Sequence, residues 1–238
     1  MIECKDIIKI FQDKVRKINV PALRGCDFKV EKGELVSIIG PSGSGKTTLI
    51  NILAGLDSLS SGEARVAGYH LEKMSGKMLE FYRLAKIGLL DQFPERTLFL
   101  NISVEDNLNF SRNLLNRKTV MKDFSNQEIL EKLGIFHLRK RQVKTLSGGE
   151  MARVALACGL AKSAPVILCD EPTGQLDSEN TEKVKALLHQ ITREFGTTIV
   201  VVTHDGRFLE GVDRTFEIND GRLSSILTAE ERSLLGKD

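Results

Sequence analysis

A chain of 238 residues that is 41% hydrophobic and 28% charged has ordinary globular usage, which excludes a mainly disordered or fibrous protein and suffices to bury a core. Its 34 Lys+Arg against 32 Asp+Glu leave a formal charge of +2, so the overall balance marks neither a nucleic-acid binder nor a membrane-surface binder. No apolar run reaches the roughly 18 residues a membrane-spanning helix needs, and the opening MIECKDIIKI lacks the pattern of a secretory signal, so we expect a cytosolic chain of one large domain, or a domain with a subdomain.

The first forty residues read as short strands, Ile7 to Phe11, Cys26 to Val30 and, after a Glu31-Lys32-Gly33-Glu34 turn, Leu35 to Ile39. Gly40 to Gly45 breaks that pattern. Apolar residues then resume at helical spacing from Thr47 to Leu56 (Leu49, Ile52, Leu53, Leu56), giving strand, glycine loop, helix. A hairpin-like stretch at Gly62 to Gly68, a charged helix-prone segment Lys73 to Ala85 and an apolar run Ile87 to Leu90 ending at Asp91-Gln92 follow. From Phe93 to about Lys144 the β-branched runs thin out. Helical spacing in Glu105 to Leu115 and Glu128 to Leu138 marks this stretch as a helical insertion.

Ser147 opens another helix that ends before Pro165, and Val166 to Cys169 is a buried strand leading into Asp170-Glu171-Pro172. Helix Glu179 to Glu194 and strand Thr197 to Thr203 repeat the alternation. Asn219-Asp220-Gly221 is a hairpin turn between Phe216 to Ile218 and Leu223 to Ile226. Thr228-Ala229-Glu230-Glu231 reads as the capping box of a short C-terminal helix, about 228–236. Strands alternating with helices point to a largely parallel, helix-covered α/β sheet. The four cysteines, Cys4, Cys26, Cys158 and Cys169, form no CxxC and read as reduced, mostly buried thiols.

Three features carry chemistry. Gly40-Pro41-Ser42-Gly43-Ser44-Gly45-Lys46-Thr47 satisfies G-x-x-x-x-G-K-[ST] between a buried strand and a helix start. Such a loop turns consecutive backbone N–H groups inward around a polyphosphate, and the following helix aims its positive dipole end at the same charge. Lys46 would reach the β- and γ-phosphates and the Thr47 hydroxyl would coordinate Mg²⁺. Val166 to Glu171 is an apolar strand ending in two carboxylates, suited to a metal-assisting Asp170, acting through water, and a general base Glu171; the bland alternative is an acidic helix N-terminus. Leu146-Ser147-Gly148-Gly149-Glu150 is a plain capping box on its own. The Gly148-Gly149 pair, costly at a helix start unless backbone must approach something closely, speaks for more.

GPSGSGKTT at 40–48, Gln92 after a strand, LSGGE at 146–150, VILCDEPTGQLD at 166–177 and His204 after TIVVVT, in that order, resemble the ATP-binding subunit of an ABC transporter over about residues 1–225. The form PTGQLD and an extended loop Gln12 to Pro21 look most like the branch holding macrolide exporters, lipoprotein-releasing systems and the cell-division ATPase. The resemblance implies a P-loop NTPase fold with an ABC-type RecA-like core of about 1–92 and 160–226, an N-terminal antiparallel β portion and a helical subdomain of about 93–159. It implies that Phe11 stacks on adenine, although the ring could equally belong to the core. ATP would sit on Gly40, Pro41, Ser42, Gly43, Ser44, Gly45, Lys46, Thr47 and Thr48, with Mg²⁺ held by Thr47, Gln92 and Asp170. Glu171, Gln92 and His204 would serve catalysis, His204 touching the γ-phosphate; a lone His after a strand is otherwise more often structural. Ser147, Gly148, Gly149, Glu150 and Asp177 would act across a dimer, on the partner's nucleotide.

The implied function is an ATPase pair, two copies or a mixed pair, that drives transmembrane permease subunits from the cytoplasmic face of the membrane and binds no nucleic acid. A soluble ABC-type ATPase and a membrane-associated mechanical regulator are the competing readings. The former usually carries long coiled coils or two ATPase domains, which the chain lacks, and sequence does not separate the latter from a transporter. The chain departs from the family pattern at Glu150, where Gln is commoner, at Met151-Ala152-Arg153, at Cys158, where an arginine usually stands, and at Asp91 to Arg96. None of these touches Lys46, Asp170, Glu171 or His204, so an active ATPase is expected.

Overall fold

The computed structural model describes residues 1–13, 18–114, 124–173, 178–206 and 211–228. They form a six-stranded sheet and a four-stranded sheet with helices packed around them. In chain order the strands are β1 Ile2–Asp13, β2 Ile18–Val30, β3 Leu35–Ile39, β4 Ser61–Val66, β5 Tyr69–His70, β6 Ile87–Leu90, β7 Val166–Asp170, β8 Thr198–Thr203, β9 Arg214–Asn219 and β10 Arg222–Thr228. The helices are α1 Lys46–Leu53, α2 Gly76–Lys86, α3 Val104–Asn113, α4 Asn126–Lys132, α5 Gly148–Ala161 and α6 Ser178–Phe195.

The larger sheet runs β10-β9-β3-β8-β7-β6, parallel throughout except for β10, which returns antiparallel to β9. Its central strands are apolar on both faces because both are covered. Val36, Ile38, Leu168, Val200 and Val202 join α1 and the smaller sheet in one buried cluster, while Leu35, Ile167, Cys169, Ile199 and Val201 join α3 to α6 in the other. This alternation explains why Val166 to Cys169 and Thr198 to Val202 read as unbroken apolar runs. The turn at Asp220-Gly221 has positive φ at both residues, as the Asn-Asp-Gly signal requires. Cys4, Cys26 and Cys169 are buried and Cys158 half-buried, all as free thiols.

The smaller sheet, β2-β1-β4-β5, is antiparallel and longer than the sequence pattern suggests. β1 and β2 have 12 and 13 residues, so Gln12 and Ile18 to Pro21 belong to paired strands and not to an extended loop. Two causes hide them. A bulge at Asp6, φ +49°, breaks the alternation between Cys4 and Ile7, and the first half of β2 is exposed, where no apolar pattern is demanded. Pro21 is tolerated because β2 is an edge strand. In the helical stretch the single helix expected over Glu128 to Leu138 stops at Lys132: Gly134, φ +68°, ends it, and a separate short 3₁₀ turn covers Phe136–Leu138. Lys73 falls in a 3₁₀ turn before α2, whose N-cap is Ser75. The expected C-terminal helix, past Thr228, lies outside the described residues.

The parallel strands deliver their carboxyl ends to one edge. The glycine loop follows β3, Asp91-Gln92 follows β6, Glu171 follows β7, and His204 follows β8.

Candidate functional site

The loop between β3 and α1 is shaped by contacts that leave no room for side chains at two positions. A Cβ on Gly40 would lie 2.1 Å from the Ile218 carbonyl oxygen. One on Gly45, whose φ is +108°, would lie 2.6 Å from the Ala22 oxygen. Gly45 is the N-cap of α1 and supplies no side-chain cap, and the first bond inside the helix runs from Leu49 N–H to Gly45 O at 2.9 Å. The amides of the first turn are therefore left to an external acceptor. The Lys46 ammonium is laid back over the loop, donating to the carbonyls of Gly40 at 2.7 Å and Pro41 at 2.8 Å, which holds a buried cation at the loop's centre. The Ser44 hydroxyl is buried with no hydrogen-bond partner among the described residues.

A cleft of 640 Å³ opens over this loop, lined by Ala22, Pro41, Ser42, Gly43, Gly45, Lys46, Thr47, Thr48, Gln92, Glu171 and His204. The sequence-derived residues of four separate segments thus converge on one cavity, with Ala22 an addition that carried no signal of its own. Asp170 sits behind them. Burial raises its carboxyl above the ordinary range, the Glu171 and Asp91 charges add to this, and a hydrogen bond from Thr47 and the charge of Lys46 oppose it. Its Oδ1 is buried without a hydrogen-bond partner among the described residues. A buried orphan oxygen next to the Thr47 hydroxyl fits the outer shell of a hard divalent cation, which prefers oxygen ligands and retains its waters. Among the described residues no group of three His, Cys, Asp or Glu could hold a metal by itself.

Glu171 adopts φ +48°, a left-handed conformation costly for a residue with a side chain and held by its surroundings. Its N–H donates to Val202 O at 2.9 Å. Its Oε2 accepts from the Thr203 hydroxyl at 3.0 Å and from the His204 N–H at 3.3 Å, and lies 3.0 Å from His204 Nδ1. Thr203 Oγ1 in turn accepts from Asp205 N–H at 3.0 Å. Sequence reasoning missed Thr203. The register of the two strands, Asp170 opposite Val202, puts the next pair together, so the TH dipeptide after an apolar strand was the available signal.

Other expected site residues lie elsewhere. Phe11 is exposed on β1 and so is not a core residue. It does not line the cleft, but it pairs with Val20, two residues before Ala22, and its ring carries the Lys9 ammonium 4.8 Å above it. Ser147 is the N-cap of α5. Its hydroxyl and N–H both donate to Glu150 Oε2, at 2.9 and 2.7 Å, and the Glu150 N–H returns to Ser147 Oγ at 3.4 Å, a complete capping box. These bonds hold the Glu150 carboxyl below its usual range. Neither Ser147 nor Glu150 reaches the cleft, and a Cβ on Gly148 or Gly149 would meet nothing within 4 Å among the described residues. Asp177 lies outside the described residues. Among the described residues no helix is long and apolar enough to cross a membrane.

Residues 23–174 match the family model described as ABC transporter. The "Lipoprotein-releasing system ATP-binding protein LolD" of Francisella tularensis subsp. tularensis (strain FSC 198) is 34% identical over 96% of this chain and 98% of its own. That of Pseudoalteromonas translucida (strain TAC 125) is 33% identical over 94% and 95%. Among solved structures, a dimeric post-hydrolysis state of the ATP-binding cassette MJ0796 bound to ADP and Pi superposes with a TM-score of 0.82 at 30% identity, covering 96% of this chain and 98% of the other.

Proposed function

The chain belongs to the ABC transporter family and is an ATP-binding, ATP-hydrolysing subunit, and from that premise we propose that two copies sandwich two ATP molecules head to tail and power a transmembrane complex of lipoprotein-release or exporter type from the cytoplasmic face of the membrane. One observation carries the two-copy arrangement. Gly148 and Gly149 stand at a helix start where nothing among the described residues needs a glycine, so we read the close approach that justifies them as coming from outside, as a phosphate held by a second copy would.

In this reading the loop amides from Ser42 to Thr48 and the Lys46 ammonium bind the polyphosphate of ATP, and Phe11 stacks on the base. The Thr47 hydroxyl and Gln92 would hold Mg²⁺ directly and Asp170 through water. When bound, the cation neutralises charge on the β- and γ-phosphates. Glu171 takes the proton of the attacking water. Its Oε2 is held by Thr203 and His204, which leaves Oε1 to receive the proton and fixes the carboxylate's direction. His204 is 64% exposed, which leaves its ring free to turn to the γ-phosphate. Ser147, Gly148, Gly149, Glu150 and Asp177 complete the site of the opposite copy. ATP favours the closed pair, and hydrolysis removes that preference, which is how the cycle reaches the membrane subunits.

Glu171→Gln tests the assignment. It should retain ATP binding, lose turnover by about 10²–10⁴-fold, the usual contribution of a general base, and accumulate as an ATP-bound dimer in size-exclusion chromatography with light scattering. A variant that hydrolyses at the normal rate and stays monomeric removes Glu171 from the role.

A further inference from the structure

Lys9 is a charged residue on β1 that is only 7% exposed. A buried ammonium is costly unless it is paired, and this one donates to Asp57 Oδ1 at 2.6 Å and to the Ser58 carbonyl at 2.7 Å. Both acceptors follow the end of α1, where the Leu56 and Asp57 amides donate to the Asn51 carbonyl at 2.8 and 3.1 Å and tie the turn to the helix. The ammonium thus joins β1 to the helix whose start carries Lys46 and Thr47.

The same ammonium stands 4.8 Å over the Phe11 ring. Lys9 and Phe11 are alternate residues of β1, and next to them the pairing with β2 slips. Lys9 pairs with Leu23 and Ile10 with Pro21, which leaves Ala22 as the extra residue of a bulge, and Ala22 lines the nucleotide cleft. Phe11 is 42% exposed with a cation over one face, so the other face is what it offers to a flat ligand. A cation fixed on one side of an aromatic ring is held by the ring's quadrupole and draws π density toward itself, so the outer face becomes less negative and repels the π cloud of a purine less.

We infer that Lys9 is a positioning residue for the base of the nucleotide: clamped by Asp57 and Ser58 against Phe11, it sets the ring's place relative to the phosphate loop and strengthens its stacking on a purine. The inference rests on the stacking of Phe11 proposed above and deepens it. A salt bridge that served only the fold would affect the binding of base and phosphate alike, whereas one that acts through Phe11 acts on the base alone.

Calorimetric titration of the full-length chain with ADP and with inorganic pyrophosphate tests it, because ADP brings base and phosphates to the site and pyrophosphate brings phosphates only. Lys9→Met should weaken ADP binding about three- to tenfold and leave pyrophosphate binding as in the parent, and Lys9→Arg should restore most of the loss. Phe11→Leu should weaken ADP binding about tenfold and erase any further effect of Lys9→Met. Removing the ammonium strips Asp57 of its partner, so Lys9→Met/Asp57→Met, which leaves neither charge unpaired, carries the same comparison if the single variant fails to fold. Equal loss of both ligands, no loss of either, or a loss that persists in the Phe11→Leu chain overturns the assignment of Lys9 alone. A Phe11→Leu chain that binds ADP as the parent does overturns the stacking of Phe11 and the role of Lys9 with it.

Discussion

The starts of α1 and α5 use the same two ingredients, glycine and a helix N-terminus, to opposite ends. At α1 the glycines are forced from within the chain: Gly40 is pressed on Ile218 and Gly45 on Ala22 with a positive φ, and no side chain caps the helix. At α5 the cap is complete, the backbone is ordinary and the glycines face open space. The first is therefore a site whose demands are met inside one chain, with Lys46, Gln92, Glu171 and His204 already gathered on it. In the reading proposed above the second is half a site, completed by a second copy: the capping box accounts for Ser147 and Glu150 but not for the two glycines.

The strongest way to break this contrast is to disable the two starts on different copies. Lys46→Ala should cost the isolated chain its tight ATP binding and Ser147→Arg should not, although each alone should abolish turnover. In a head-to-tail pair each site joins one copy's loop to the other's signature. Mixing the two variants in equal amounts should then restore roughly a quarter of the parent's ATPase rate, since half of the pairs are mixed and each has one intact site. No recovery, together with loss of ATP binding by Ser147→Arg alone, would place Ser147 in its own chain's site.

A second comparison changes stability with opposite signs. Gly45→Ala should destabilise the fold by about 1–3 kcal/mol, because the new Cβ meets backbone and the φ is strained for any L residue. Gly148→Ala should stabilise the monomer by up to about 1 kcal/mol, since it removes glycine's entropy cost where space is open, while turnover of the pair falls. Thermal melts and steady-state rates on the same preparations check both. A Gly148→Ala chain that is more stable and fully active would leave the glycine pair without a function.

Most of the first site was legible because its residues carry local demands. Gly40 to Thr47 shows in any single sequence as a break between an apolar strand and a helix, and Asp170-Glu171 shows as charge at the end of an unbroken apolar run. Thr203, Ala22 and the exposed half of β2 were not legible, since each is placed by a neighbouring strand: Thr203 by the β7 register, Ala22 by the turn it packs on, and Ile18 to Pro21 by pairing with β1.

The smallest effect expected separates what Asp170 does for chemistry from what it does for the fold. Its carboxyl is raised by burial and by the Glu171 and Asp91 charges, so the stability it confers is present in acid and is lost as pH rises through its folded pKa, which lies above the ordinary carboxylate value. At neutral pH the ionised group therefore weighs against the nucleotide-free fold. Asp170→Asn keeps the shape and an oxygen for Thr47 but not the charge, and should raise Tm at pH 7.5 by less than Gly45→Ala lowers it. That gain should shrink as pH falls toward the ordinary carboxylate range, while Mg²⁺-dependent turnover is lost at every pH. A variant that melts below the parent at pH 7.5 would mean that the Thr47 and Lys46 contacts outweigh burial, and that Asp170 is held in place by the fold rather than tolerated by it.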